Sequence, residues 1–156
     1  IRSGLTGHLV LSTLHTNDAP SAVNRLMDIG VEPYLLAPSL LLVVSQRLLR
    51  KLCPECKEAY EPKPEDLGEI KLKVDLIYRA KGCDQCSHTG YKGRMVIGEV
   101  LLVDDEMRKL IGRNGTYTEI RDLARKNGMA TLFESGLKQV EEGVTSLEEV
   151  CGVTVG

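Results

Sequence analysis

The chain has 156 residues, enough for one domain or two small ones with a real core. Twenty basic and 22 acidic residues leave a net charge of −2, which argues against a general polyanion binder, because such domains carry a basic stripe. No apolar run reaches the ~20 residues of a membrane span; the longest covers residues 40–44. The opening Ile1-Arg2-Ser3-Gly4 does not read as a natural start or as a signal peptide, so the chain is expected to be a piece of a longer protein.

Residues 9–14, LVLSTL, are short, partly β-branched and apolar on both faces, which predicts a central strand of a parallel sheet. His8 and His15, two of only three histidines, flank it. Asn17 or Asp18 is expected to cap a helix with Pro20 in its first turn. Ala19, Ala22, Val23 and Leu26 then fall on one buried face, and Gly30 ends the helix. A second helix is expected after Pro38, capped by Ser39 and running to about Leu52. Its last turn would carry Arg47, Arg50 and Lys51 toward the negative end of the helix dipole.

From Cys53 the character changes. Cys53-Pro54-Glu55-Cys56 and Cys83-Asp84-Gln85-Cys86 bracket a polar stretch with Pro62 and Pro64. Residues 92–94 and then 95–103 read as a strand with a glycine at 98. Asp104 or Asp105 is expected to cap a helix holding Met107, Leu110 and Ile111 and stopping at Gly112. Three capping-box patterns follow, Thr116 with Glu119, Thr131 with Glu134 and Ser146 with Glu149, with Gly128 and Gly143 as stops. The tail therefore reads as a small helical bundle.

Two paired cysteines of this spacing can present four thiolates to one tetrahedral ion. Zn2+ suits such a set and, with Cys53, Cys56, Cys83 and Cys86 filling its shell, would be structural. The gap between the pairs exceeds that of common zinc ribbons, so residues 61–79 are expected to loop out. The competing readings are two redox CxxC motifs, which lack a thioredoxin-like setting, or two disulfides, which need a secreted chain. His88 is an alternative fourth ligand. Cys151 stands alone and reads as a small buried residue. Metal-binding cysteines place the chain in a reducing compartment.

Ligands of open α/β sheets sit outside the carboxyl ends of the strands. His15 lies at that end of the expected strand, ahead of a helix N-terminus that would favour a phosphate. Seven extended residues span roughly 23 Å at about 3.3 Å each, so one ligand would hardly meet both imidazoles.

The stretch LTGHLVLSTLHTNDAPSAVNRLMDIG resembles the His box of the secretion ATPase superfamily, the ring-shaped hexameric motors of type II secretion and type IV pilus assembly. SQRLLRKLCPEC, GCDQCSHTGYKGR, IGEVLLVDDEMRKLI and GMATLFESGLKQVEEGVTSLEEV are similar to the C-terminal region of its tetracysteine assembly branch. Pilus-retraction ATPases share the His box but lack the four cysteines.

The resemblance implies an α/β fold: the C-terminal remnant of a RecA-like ATPase core (residues 1–52), a tetracysteine zinc subdomain (53–94), and a strand with a C-terminal helical bundle (95–156). It implies that His15, and second His8, senses nucleotide in the full-length protein. It also implies ATP and Mg2+ as cofactors there, a homo-hexamer, and inner-membrane platform proteins as partners. No specific nucleic acid is implied, and the location is cytoplasmic, peripheral to the bacterial inner membrane. No GxxxxGK[ST] phosphate loop occurs in this chain, so the piece alone is expected to be inactive. The competing class is a free-standing zinc module for protein or nucleic-acid contact, kept in view by Tyr60, Tyr78 and Tyr91 near the cysteines.

Overall fold

The computed structural model describes residues 1–154, with Asp66 described by its backbone only. In chain order the elements are α1 (Arg2–Leu5), α2 (Ala19–Asp28), α3 (Pro33–Ser39), β1 (Leu42–Leu52), β2 (Glu58–Tyr60), α4 (Pro64–Leu67), β3 (Ile77–Arg79), β4 (Tyr91–Leu102), α5 (Asp105–Gly112), α6 (Tyr117–Lys126), α7 (Leu132–Glu141) and α8 (Leu147–Thr154). The chain is thus mixed α/β. Strand β1 pairs with β4, and β2 pairs with β3. The Cys53 N–H bonds to the Gly90 carbonyl at 2.9 Å and the Val103 N–H to the Leu41 carbonyl at 3.0 Å, so β1 and β4 run antiparallel.

Packing groups the chain into two compact units, each built from two stretches. The first comprises Ile1–Ser45 and Glu99–Ala130, and the second Gln46–Gly98 with the residues from Thr131 on. In the first unit Val23, Leu36, Leu101, Met107, Ile111 and Ile120 are fully enclosed. In the second Leu49, Ile77, Ile97, Val140 and Val150 form the corresponding centre. Each such side chain contributes roughly 1.5–3 kcal/mol of burial free energy.

The helix starts follow from local chemistry. Asp18 caps α2 by accepting the Ser21 N–H at 2.8 Å, and Pro20 sits harmlessly in the first turn. Asp104 caps α5 through Met107. Thr116 with Glu119 and Thr131 with Glu134 form reciprocal capping boxes on α6 and α7. Gly128 and Gly143 follow α6 and α7 in left-handed conformations.

Two expected elements are corrected. Residues 42–52 form a strand and not a helix. Ser45 and Leu49 are buried while Leu42, Val44, Gln46 and Leu48 face outward, the alternation of a half-buried strand. Arg47, Arg50 and Lys51 therefore lie on β1 and complement no helix dipole. The helix before it is α3, which contains Pro38 and closes at Ser39, whose hydroxyl bonds to the Leu35 carbonyl at 2.8 Å. Residues 9–14 form neither helix nor strand, and Leu9 and Leu11 are 78% and 89% exposed. A strand exists only with a ladder partner, and every strand among the described residues is paired elsewhere.

Candidate metal centre

The four cysteines converge. Cys53 follows the last residue of β1, and Cys56 is held in a turn by its N–H to the Cys53 carbonyl at 3.3 Å. Cys83 and Cys86 bound a single turn of 3-10 helix, Asp84–Cys86. Strands β2 and β3 pair Glu58 with Arg79 and Tyr60 with Ile77, which draws the two cysteine pairs together. The exposed Glu58 carboxylate reinforces that ladder by accepting from Arg79 at 2.8 Å, and this hydrogen bond lowers its pKa.

All four sulfur atoms lie within 4.8 Å of one another. Cys53 and Cys83 are separated by 3.9 Å, and Cys56 and Cys86 by 3.8 Å, as are Cys83 and Cys86. A disulfide would bring sulfurs to about 2.05 Å. A tetrahedron with metal–sulfur bonds of about 2.3 Å has edges of about 3.8 Å. The cage therefore fits a tetrahedral thiophilic ion and not a pair of disulfides.

Backbone amides prepare the cage for thiolates. The N–H groups of Cys83 and Gly90 both point at the Cys86 sulfur, each at 3.2 Å. Burial opposes ionisation of Cys86, but these two amides and the neighbouring Cys56 and Cys83 thiols outweigh it and bring its pKa down to about 6. Burial, together with the other three thiols, pushes Cys56 up to about 12 despite a bond from the Gly82 amide. Four crowded thiols cannot all ionise without a counter-charge, and a divalent cation supplies one.

Two glycines make the second knuckle possible. Gly82 has φ +101°, and a Cβ there would lie 2.6 Å from the His88 carbonyl oxygen. Gly90 has φ +77°, and its Cβ would lie 2.5 Å from that of Ala80. Neither position accepts a larger residue without a backbone shift. These glycines were not singled out by cysteine spacing, although a glycine four residues after Cys86 is visible in GCDQCSHTG.

His88 does not join the sulfurs. Its ring meets the Asp84 carboxylate at 3.1 Å and is largely exposed. His8 is exposed, with its Nδ1 3.2 Å from the Thr6 hydroxyl. His15 is exposed in the irregular stretch before α2. The N-terminus of α2 already holds two carboxylates: Asp18, and the buried Glu99, which accepts the Ala19 N–H at 2.9 Å. Both carboxylates accept backbone N–H groups of the first turn of α2.

A mixed α/β chain with a tetracysteine cluster is the class this geometry defines. The chain belongs to the family described as Type II/IV secretion system protein, whose model matches residues 1–152. It is 49% identical over 157 residues to the Type II secretion system ATPase E of Vibrio cholerae, covering 99% of this chain and 31% of that protein. It is 46% identical over 158 residues to the Type IV pilus assembly ATPase PilB of Thermus thermophilus, covering 98% of this chain and 18% of that protein. The chain thus spans less than a third of the length of these relatives. Its fold is similar to that in the crystal structure of the pilus retraction motor PilT with bound ADP, at a TM-score of 0.60 and 23% identity. That match covers 97% of this chain and 35% of the other.

Proposed function

We propose that this chain is the C-terminal portion of a hexameric assembly-type secretion ATPase. The whole protein would be cytoplasmic and peripheral to the bacterial inner membrane, where it acts on platform proteins that add pilin or pseudopilin subunits. The observation that carries the reading is the convergence of four cysteine sulfurs within 4.8 Å in a chain that aligns almost end to end with secretion and pilus-assembly ATPases. No helix of the described residues is long and apolar enough to cross a membrane.

Cys53, Cys56, Cys83 and Cys86 would hold Zn2+, the ion favoured by soft thiolates at tetrahedral edges. The bound ion would supply positive charge and a cross-link, with no position left open for a substrate. The role is structural: the cage joins the end of β1 to the start of β4.

His15, and after it His8, would face the nucleotide in the whole protein; the support is the His-box resemblance of residues 6–18. This chain alone neither binds ATP firmly nor hydrolyses it. It has no GxxxxGK[ST] loop to cradle the β- and γ-phosphates, and Asp18 and Glu99 would repel an anion at the N-terminus of α2. The three tyrosines that keep the competing nucleic-acid module in view each carry one of the chain's own cations over the ring. Arg50 lies 4.1 Å from the centre of the Tyr91 ring, Lys57 4.3 Å from that of Tyr78, and Arg79 5.3 Å from that of Tyr60.

Metal analysis with ATPase assays tests the reading. The purified chain should carry one Zn2+ under reducing conditions and lose it on Cys83→Ser. It should show no ATP turnover, whereas the longer protein containing it should hydrolyse ATP and slow markedly on His15→Ala. A metal-free folded chain, or ATP turnover by this chain alone, would refute the corresponding part.

A further inference from the structure

Both strands that lead into the cysteine cage are fastened to the same short turn, residues 144–146, between α7 and α8. On β1, Leu52 precedes Cys53 and donates its backbone N–H to the Val144 carbonyl at 2.8 Å. Two residues earlier, the Arg50 carbonyl accepts the Thr145 hydroxyl at 2.8 Å. On β4, the Tyr91 hydroxyl meets the Ser146 hydroxyl at 2.7 Å. Tyr91 adjoins Gly90, whose N–H reaches the Cys86 sulfur and whose carbonyl takes the Cys53 N–H.

Helix α8 closes the arrangement. Ser146 caps it by accepting the Glu149 N–H at 3.2 Å. The Glu149 carboxylate does not return to the cap as a capping box would. It accepts the Arg50 backbone N–H at 2.9 Å and the Arg50 Nε–H at 2.8 Å. The same guanidinium covers the Tyr91 ring, so one carboxylate steadies a residue on β1 that in turn rests on β4. Thr145, Ser146 and Glu149 are buried, although all three are polar and close to the C-terminal end of the chain. Buried polar groups satisfied across so many residues fix one arrangement and tolerate few others.

The geometry points to a linkage between metal binding at the cysteine cage and docking of α8, with Glu149 and Tyr91 as positioning residues for the cage. The inference rests on the reading of the four cysteines as a metal site. A cage of four sulfurs within 4.8 Å of one another, three of its edges at 3.8–3.9 Å, needs the end of β1 and the start of β4 held in fixed register. The 144–146 turn and Glu149 hold both. Any preference of the metal for the docked arrangement is returned, by reciprocity, as a preference of α8 for the metal-loaded one. The C-terminal helix then reports, and is controlled by, the state of the cage.

The test is a Zn2+ titration of the full chain in reducing buffer against a chromophoric chelator of known affinity. Glu149→Gln should weaken Zn2+ binding about tenfold or more, the scale on which outer partners of metal ligands act. Tyr91→Phe keeps the ring under Arg50, leaves the fold intact and should weaken binding severalfold. Hydrogen exchange with and without chelator supplies the reciprocal measurement. On metal removal, amides of residues 147–154 should exchange at least tenfold faster while those of 132–141 keep their protection. Unchanged Zn2+ affinity in both variants overturns the linkage. So does retained protection of residues 147–154, or exchange of 132–141 together with them, which would mean a general loosening. A chain that takes up no Zn2+ at all overturns the metal reading, and the linkage with it.

Discussion

Glu149 holds Arg50 at two points, the backbone N–H at 2.9 Å and the guanidinium Nε–H at 2.8 Å, across 99 residues of sequence. The carboxylate is nearly enclosed while the Arg50 side chain is half exposed, so the pair is neither a surface bridge nor a fully buried one. The Arg50 side chain, bonding to Glu149 against the opposing cost of burial, lowers its pKa. A carboxyl whose folded pKa lies below its unfolded value, near 4.3, stabilises the fold fully above that value. The contribution is lost as pH falls through the folded pKa. Glu149→Gln should therefore cost about 1–3 kcal/mol at neutral pH, with solvent screening at Arg50 taken into account. The difference from the parent should shrink below about pH 4. Urea unfolding curves of both proteins at neutral and acid pH check this; a gap that stays constant with pH would place the effect in packing and not in charge.

Gly90 serves the cage through its shape. Its N–H and carbonyl meet Cys86 and Cys53, and its left-handed conformation leaves no room for a Cβ beside Ala80. Gly90→Ala should cost about 1–3 kcal/mol from strain at this position. It should also weaken Zn2+ uptake more than any stability loss of that size explains, because it displaces a donor to a ligand sulfur. Metal titration alongside thermal unfolding separates the two effects. Unchanged metal affinity would show that the knuckle tolerates the shift.

Local chemistry was legible in the sequence, and non-local pairing was not. Asp18, Asp104 and the Thr116 and Thr131 boxes act within three or four residues, so the pattern of types suffices to read them. The cysteine pairs are equally local, and two knuckles brought to one point follow from their number. The stretch 42–52 misled because a run of apolar residues suits a buried helix as well as a strand, and its partner, β4, lies some forty residues on. Residues 9–14 have every intrinsic mark of a strand, yet strand formation is decided by a partner's hydrogen bonds. Glu149 sits where a capping box would use it, but Arg50, 99 residues away, takes the carboxylate. No spacing rule sees such a competitor.

Glu99, on β4, presents a buried carboxylate to the first N–H of α2, 80 residues upstream. Glu99→Ala should leave the Ala19 amide without this acceptor and destabilise the first unit by about 1–3 kcal/mol. Glu99→Gln retains an acceptor oxygen and should recover about half of the loss. Hydrogen exchange at residues 19–28 is the measurement. Fraying of that helix in the alanine variant alone is the expected result, and equal protection in both variants would count against the role.

Gly136 lies within α7 where it meets α8, and a Cβ there would fall 2.6 Å from Val150 Cγ1 and 3.1 Å from its Cγ2. Both Val150 methyls crowd the position, so no rotamer of this β-branched side chain clears it easily. Gly136→Ala brings a gain in helix propensity of about 1 kcal/mol against an overpacking cost of about 1–3 kcal/mol. The net effect should be destabilising, because Val150 is fully buried and cannot move aside into solvent. Removing the obstruction reverses the sign. In the double variant Gly136→Ala, Val150→Ala, the new methyl fills part of the space left by the valine, so the double variant should be more stable than Val150→Ala alone. A double-mutant cycle by denaturant unfolding reads this directly as a favourable coupling between the two positions. Strict additivity would mean that α7 and α8 separate to admit the methyl, and the close approach at Gly136 would then carry no specificity.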